Sequence, residues 1–198
     1  MEHRVSFEKF TVALVSLVLF GAGCATKAPT SANVPANANQ PAASTITDDG
    51  LRNMGYPVNG FPGIEAVTLT DGYSRFTDPT GADNGYARLG DAIAHGDLNG
   101  DGIDDAAVVL YVNTGGSGTW PVVYAVLSTD GRPVPHQGPQ LEDRSKVNGA
   151  SIDEKKLSLD LTLHGPSDPA CCPTLNASKT YAWDGVGNRF DEVLTIQP

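Results

Sequence analysis

Residues 106–112 read Ala-Ala-Val-Val-Leu-Tyr-Val, and this segment constrains the fold more than any other. It is short for a helix and rich in β-branched valine, so it predicts a strand. A strand that has no polar face must be covered on both sides by the rest of the protein. We therefore expect a central strand in a mainly β domain.

A second strand pattern lies at residues 157–163, where leucine alternates with polar residues. Such alternation places one face in a core and the other in solvent. A four-residue turn at 153–156 joins this segment to 145–152, which predicts a hairpin. The other predicted strands are 65–70, 73–77, 120–127, 180–183 and 189–194, and residues 89–95 lead into an acidic loop as the first arm of a hairpin. The prediction is an antiparallel curled sheet or sandwich at 48–198, with at most one short helix covering a face.

The composition limits the classes of partner. The chain has 198 residues, which allows one domain plus extensions, and a net charge of −10. This acidic balance disfavours nucleic acid and anionic lipid as direct partners, and it favours the binding of cations. The 22 glycines and 14 prolines suit many turns and short strands.

The N-terminus has the layout of a secretory signal peptide over residues 1–23, with a short apolar core and small residues before Cys24. Small residues before a cysteine resemble the lipobox of bacterial lipoproteins, although Gly21 stands where a bulky aliphatic residue is usual. The resemblance implies cleavage, lipidation of Cys24 and attachment to a membrane outside the cytoplasm. An uncleaved anchor and plain secretion are the alternatives. Residues 24–47 are rich in Ala, Pro, Asn and Thr, and they predict a disordered linker.

An acidic loop with the spacing D-x-N-x-D-G-x-x-D follows the segment 89–95. Alternate side chains in a tight loop can turn inward onto one centre, and Gly102 permits a sharp reversal of the backbone. A set of hard oxygen ligands suits calcium better than zinc or copper. We expect the loop to join the two arms of a hairpin. The predicted ligands are the side chains of Asp97, Asn99, Asp101 and Asp105 and the backbone carbonyl of Ile103.

This loop resembles the calcium loops of FG-GAP repeats and of dockerins at Asp97, Asn99, Asp101, Gly102 and Asp105. Position 108 is a valine, whereas an EF-hand has a bidentate glutamate at that place of the loop. The resemblance therefore implies a weak, structural calcium site, with a dissociation constant on the order of 10⁻⁴ to 10⁻³ M. An Asp/Asn/Gly-rich turn without metal is the alternative.

Cys171 and Cys172 are adjacent in sequence, and in an oxidising compartment they could form a vicinal disulfide. Such a bond closes a tiny ring and removes little entropy from the unfolded chain. The interpretations are a structural kink, a redox switch, binding of a soft metal together with His164, two free thiols, or pairing with another chain.

The acidic loop, residues 115–118, residues 168–173 and the sequence Tyr-Ala-Trp-Asp-Gly at 181–185 together resemble small bacterial envelope lipoproteins, similar to the Lpp/Lpr class. The resemblance spans about residues 85–190 and implies an envelope location and a shared β domain. It implies no reaction.

The sequence gives little support for a catalytic function. Residues 115–119 depart from the nucleophile pattern G-x-S-x-G because position 119 is threonine. A cell-wall or secreted-substrate hydrolase using Ser117 near the glycine-rich loop, and a thiol-redox or copper-handling protein, remain alternatives. The leading hypothesis is a non-enzymatic, calcium-stabilised envelope lipoprotein that binds an envelope protein or glycan or has a structural role.

Overall fold

The computed structural model describes residues 46–77, 80–81 and 84–193. This part of the chain is mainly β and antiparallel, as predicted, with one short helix. The strands form one six-stranded, one four-stranded and one two-stranded sheet. The elements are α1 Asp48–Arg52, β1 Gly55–Pro57, β2 Ala66–Thr68, β3 Tyr73–Phe76, β4 Gly85–Leu89, β5 Ala94–Gly96, β6 Asp105–Asn113, β7 Trp120–Thr129, β8 Arg132–Gln140, β9 Lys146–Asp153, β10 Lys156–Leu163, β11 Leu175–Asp184 and β12 Arg189–Val193.

The six-stranded sheet has the order β3-β4-β6-β7-β8, and β5 pairs with the beginning of β6. Every residue of β6 is buried. Val108 and Leu110 pack into one core cluster, whereas Ala107 and Val109 pack into a second cluster on the opposite face. This arrangement confirms the prediction of a central strand covered on both sides.

The four-stranded sheet, of order β12-β11-β10-β9, covers one face of the larger sheet. Leu157, Leu159 and Leu161 of β10 are fully buried in the cluster that also contains Val109 and Val123. The alternation of leucines thus predicted the buried face of β10 correctly. Glu154 and Lys155 have positive φ angles of 46° and 62° in the predicted turn between β9 and β10.

The N-terminal segment covers the other face with α1, β1 and β2. Thr47 caps α1, because its hydroxyl accepts a hydrogen bond from the Gly50 amide at 3.1 Å. Tyr124 of β7 donates to the Pro57 carbonyl at 2.6 Å. Ile46 is only 5% exposed, so the described fold includes two residues that the composition assigned to the linker.

One strand prediction needs correction, and one strand was missed. Residues 89–95 are not one strand, because β4 ends at Leu89 and β5 begins at Ala94. Gly90 donates to the Val109 carbonyl at 2.7 Å, and a β-carbon at Gly90 would lie 2.9 Å from Cε2 of Tyr111. Strand β8 had no predicted counterpart, since its prolines hid the strand pattern.

Candidate functional site

The acidic loop joins β5 to β6, and the two strands pair in antiparallel register with Gly96 opposite Asp105. The hairpin expected from the sequence is therefore present. Gly100 and Gly102 have φ angles of 85° and 84°, in the left-handed region that favours glycine. The role predicted for Gly102 in reversing the backbone agrees with this conformation.

The polar side chains of the loop turn back onto its own amides. Asp97 accepts hydrogen bonds from the amides of Gly100 and Gly102, one at each carboxylate oxygen. Asn99 Oδ1 accepts from the amide of Asp101 at 2.8 Å, and Asn99 Nδ2 donates to Asp101 Oδ2 at 3.1 Å. These oxygens therefore face the loop backbone and hold its turns. Asp101 Oδ1 completes the set by accepting from the amide of Ile103 at 2.8 Å.

Asp105 differs from the other acidic residues of the loop because it has no exposed surface. Its Oδ2 accepts from the amides of Leu98 and Asn99 at 3.0 and 3.3 Å, and its Oδ1 accepts from Ser128 of β7 at 2.9 Å. Burial raises the pKa of Asp105, and the three backbone hydrogen bonds oppose that rise. The carboxylate fastens the base of the loop to the central sheet.

The donor set of this loop consists of oxygen atoms, which suits calcium chemically. Among the residues that the structure describes, no three His, Cys, Asp or Glu side chains lie close enough to hold a metal ion. Calcium binding by Asp97, Asn99, Asp101, Ile103 and Asp105 therefore stays a prediction.

The adjacent cysteines form a disulfide in the irregular segment between β10 and β11. Asp168 closes this segment by accepting hydrogen bonds from the amides of Gly165 and Thr174 at 2.8 and 2.6 Å, and from the Thr174 hydroxyl at 2.8 Å. These bonds favour the charged carboxylate and lower the pKa of Asp168. Cys171 and Cys172 in this oxidised form offer no thiolate with which His164 could share a soft metal.

Ser117 has no histidine as a hydrogen-bond partner among the described residues; its hydroxyl accepts from Arg144 Nη2 at 3.3 Å. His95 instead pairs with Asp48 of α1 at 2.8 Å. His95 lies opposite Ala106 at the start of β6, and Ser117 follows Asn113 at its end. At roughly 3.3 Å per residue, the part of β6 between these two ends is about 23 Å long. The structure does not bring this serine and this histidine together.

Arg144 links two loop segments through hydrogen bonds, and the sequence analysis missed this role. Its Nη1 donates to the Ala170 carbonyl at 2.8 Å and its Nη2 to the Ser117 carbonyl at 2.9 Å. Arg144 also pairs with Asp143 at 2.8 Å, and its φ angle is 59°. A single arginine in a loop carries no pattern, so no sequence signal pointed to this role.

Comparison of the chain with protein-family models, with curated proteins and with solved structures gives no match. The predicted signal peptide at 1–23, the lipidation site Cys24 and most of the linker lie outside the described residues. No helix within the described ranges is long and apolar enough to span a bilayer.

Proposed function

We propose that this chain is a lipid-anchored protein of the bacterial cell envelope, whose β domain is a non-catalytic binding or structural module stabilised by calcium. Cys24 provides the anchor and residues 25–45 provide most of the tether. The observation that carries the proposal is the acidic hairpin loop, which is fixed to the central sheet through Asp105. An envelope protein or glycan is the expected partner.

The side chains of Asp97, Asn99 and Asp101 and the carbonyl of Ile103 would hold the calcium ion, with Asp105 at the base of the loop. Bound calcium supplies positive charge that offsets the repulsion between neighbouring carboxylates. Asp97 and Asp101 are at the surface end of the hairpin, whereas Asp105 is buried at its base. Ordering the loop therefore stabilises the pairing of β5 with β6.

Scanning calorimetry in calcium and in chelator tests the metal site. With a dissociation constant of about 10⁻³ M, calcium at about 10 mM should stabilise the wild type by about 1.4 kcal/mol. Asp101→Ala should melt at the same temperature in both buffers, because it removes an exposed ligand. Magnesium at the same concentration is the control for ionic strength. A wild-type melting temperature that is unaffected by calcium would refute the metal site.

Metabolic labelling with palmitate in a bacterial host tests the anchor. The wild type should incorporate label and sediment with membranes, and Cys24→Ser should lose the label, because the modified thiol is gone. Removal of residues 1–23 should prevent export and serves as the control. Unlabelled wild-type protein in the membrane fraction would favour an uncleaved apolar anchor instead.

A thiol-redox role is the second candidate, and a specific observation favours it. Cys171 and Cys172 are both exposed, so their disulfide is accessible to an exchange partner. Alkylation followed by mass spectrometry, under graded mild reductants, tests this role. A pair that stays closed under all of these conditions would exclude it.

A further inference from the structure

A basic groove lies between the six-stranded sheet and the segments that lead into β9 and β11. Its volume is about 260 Å³, and its walls contain Arg88, Arg144 and Lys146 but no acidic side chain. Three of the 13 lysines and arginines of a chain with net charge −10 thus line one small cavity. This concentration of positive charge is complementary to an anion.

The three cations are held differently. Arg144 is occupied by the Ala170 and Ser117 carbonyls, and the nearby Asp143 carboxylate offsets its charge. Arg88 lies over the ring of Tyr111, with Cζ 4.3 Å from the ring centre. Within the described ranges, neither Arg88 nor Lys146 forms an ion pair with an acidic side chain. These two cations are therefore available to a ligand.

A buried hydroxyl provides an independent observation. Ser145 lines the groove and is only 2% exposed, and its Oγ has no hydrogen-bond partner among the residues that the structure describes. Buried polar atoms are normally hydrogen-bonded, so an unpartnered one indicates a missing acceptor or donor. Arg144, with its left-handed φ of 59°, immediately precedes Ser145 and fixes its position.

Uncharged residues form the rest of the groove lining. Tyr111 and Pro173 are buried, and Cys171 brings the disulfide to the edge of the groove. The Tyr111 hydroxyl accepts from the Val147 amide at 3.0 Å, which fixes the ring that supports Arg88. Sites for drug-sized ligands usually measure about 300–1,000 Å³, so this groove suits a smaller molecule.

The geometry points to a binding site for a small organic oxyanion, carboxylate or phosphate, held by Arg88, Lys146 and the hydroxyl of Ser145. This inference rests on the proposed role as a binding module, and it adds the chemical class of ligand. It does not depend on the calcium loop or on Cys24.

Calorimetric titration of the full chain in calcium-free buffer tests the site with three probes. Galacturonate carries a carboxylate where galactose carries a hydroxymethyl group, so the pair isolates the effect of the carboxylate. Inorganic phosphate represents ligands that carry a phosphate group. We expect galacturonate or phosphate to bind, with galactose at least tenfold weaker. Binding of galacturonate alone identifies a carboxylate ligand, and binding of phosphate alone identifies a phosphate-bearing one. Failure of both anions to bind would overturn the assignment while leaving the calcium and lipidation tests unaffected.

Variants locate the site. Lys146→Gln and Arg88→Gln should each weaken anion binding about tenfold, which is typical for loss of one charge-assisted hydrogen bond. Lys156→Gln is the matched control, because Lys146 and Lys156 are exposed first residues of adjacent strands. Equal affinities of Lys146→Gln and Lys156→Gln would contradict the site.

Ser145→Ala should weaken binding several-fold without lowering the melting temperature, because the hydroxyl has no partner in the described structure. NMR titration of the wild type keeps the test decisive even where a variant folds poorly. Galacturonate or phosphate should shift the amide signals of residues 144–146 and 171–172. Shifts confined to other parts of the domain would overturn the proposal.

Discussion

The Asp105 carboxylate connects the acidic loop to strand β7, which begins 15 residues further along the chain. Its sequence position in the D-x-N-x-D-G-x-x-D pattern predicted a calcium ligand, and that prediction stands untested. The sequence could not predict the bond from Ser128, 23 residues away, because this bond depends on the pairing of β6 with β7. The burial of this carboxylate therefore depends on the pairing of two strands, β6 and β7, whose contacting residues are far apart in sequence.

Asp105→Asn should destabilise the domain by about 1–3 kcal/mol, because an amide group replaces one acceptor oxygen and leaves a buried N–H without its partner. Urea unfolding in chelator measures this loss without any contribution from calcium. Asp130→Asn is the control, since it makes the same chemical change at an exposed residue of the β7–β8 turn. It should change the unfolding free energy by less than about 0.5 kcal/mol. Equal effects of the two substitutions would show that Asp105 does not fasten the loop.

Strands β6 and β8 show what local sequence can and cannot predict at the scale of an element. Strand β6 was predictable because its run of apolar residues leaves no polar face for solvent, which indicates that both faces are buried. Strand β8 contains Pro133, Pro135 and Pro139, which cannot donate to a ladder and which normally argue against a strand. Strand β8 accommodates these prolines because it lies at the edge of the sheet. Its edge position depends on the topology of the whole sheet, so local sequence could not predict it. Gln137 also covers part of this edge by exchanging hydrogen bonds with the backbone of Asn59.

Gly138→Ala should destabilise the contact between β8 and β12. An added β-carbon would lie 2.6 Å from Cδ2 of Phe190 and 3.0 Å from the Val123 carbonyl oxygen. Overpacking of this kind costs about 1–3 kcal/mol, which thermal or urea unfolding would detect. Gly116→Ala is the matched control, because nothing lies within 4 Å of its added β-carbon. The packing argument fails if both variants are as stable as the wild type.

The whole domain has three layers, and the sequence predicted the third only in part, through the strand at 65–70 that contains β2 and the allowance for one short helix. Residues 106–112 and 157–163 predicted a packed β core in a curled sheet or a sandwich. The third layer, formed by α1, β1 and β2, covers the opposite face of the large sheet. Residues 46–64 show turn signals and little periodicity, so their burial could not be read from the sequence. Tyr56 makes this layer part of the core, with its ring 5.2 Å from that of Tyr124.

Removal of the first residues of this layer should weaken the entire domain. A fragment of residues 48–198 lacks the buried Ile46 side chain, worth about 1.5–3 kcal/mol, and the Thr47 cap, worth about 1 kcal/mol. A domain of this size changes its melting temperature by about 2–4 °C per kcal/mol, so this fragment should melt about 5–15 °C below a fragment of residues 44–198. Scanning calorimetry on the two fragments makes the comparison at equal concentration and pH. Equal melting temperatures would mean that α1 packs without its cap and that the folded domain starts at Asp48. The expected difference would place its start at Ile46 and shorten the predicted linker by two residues.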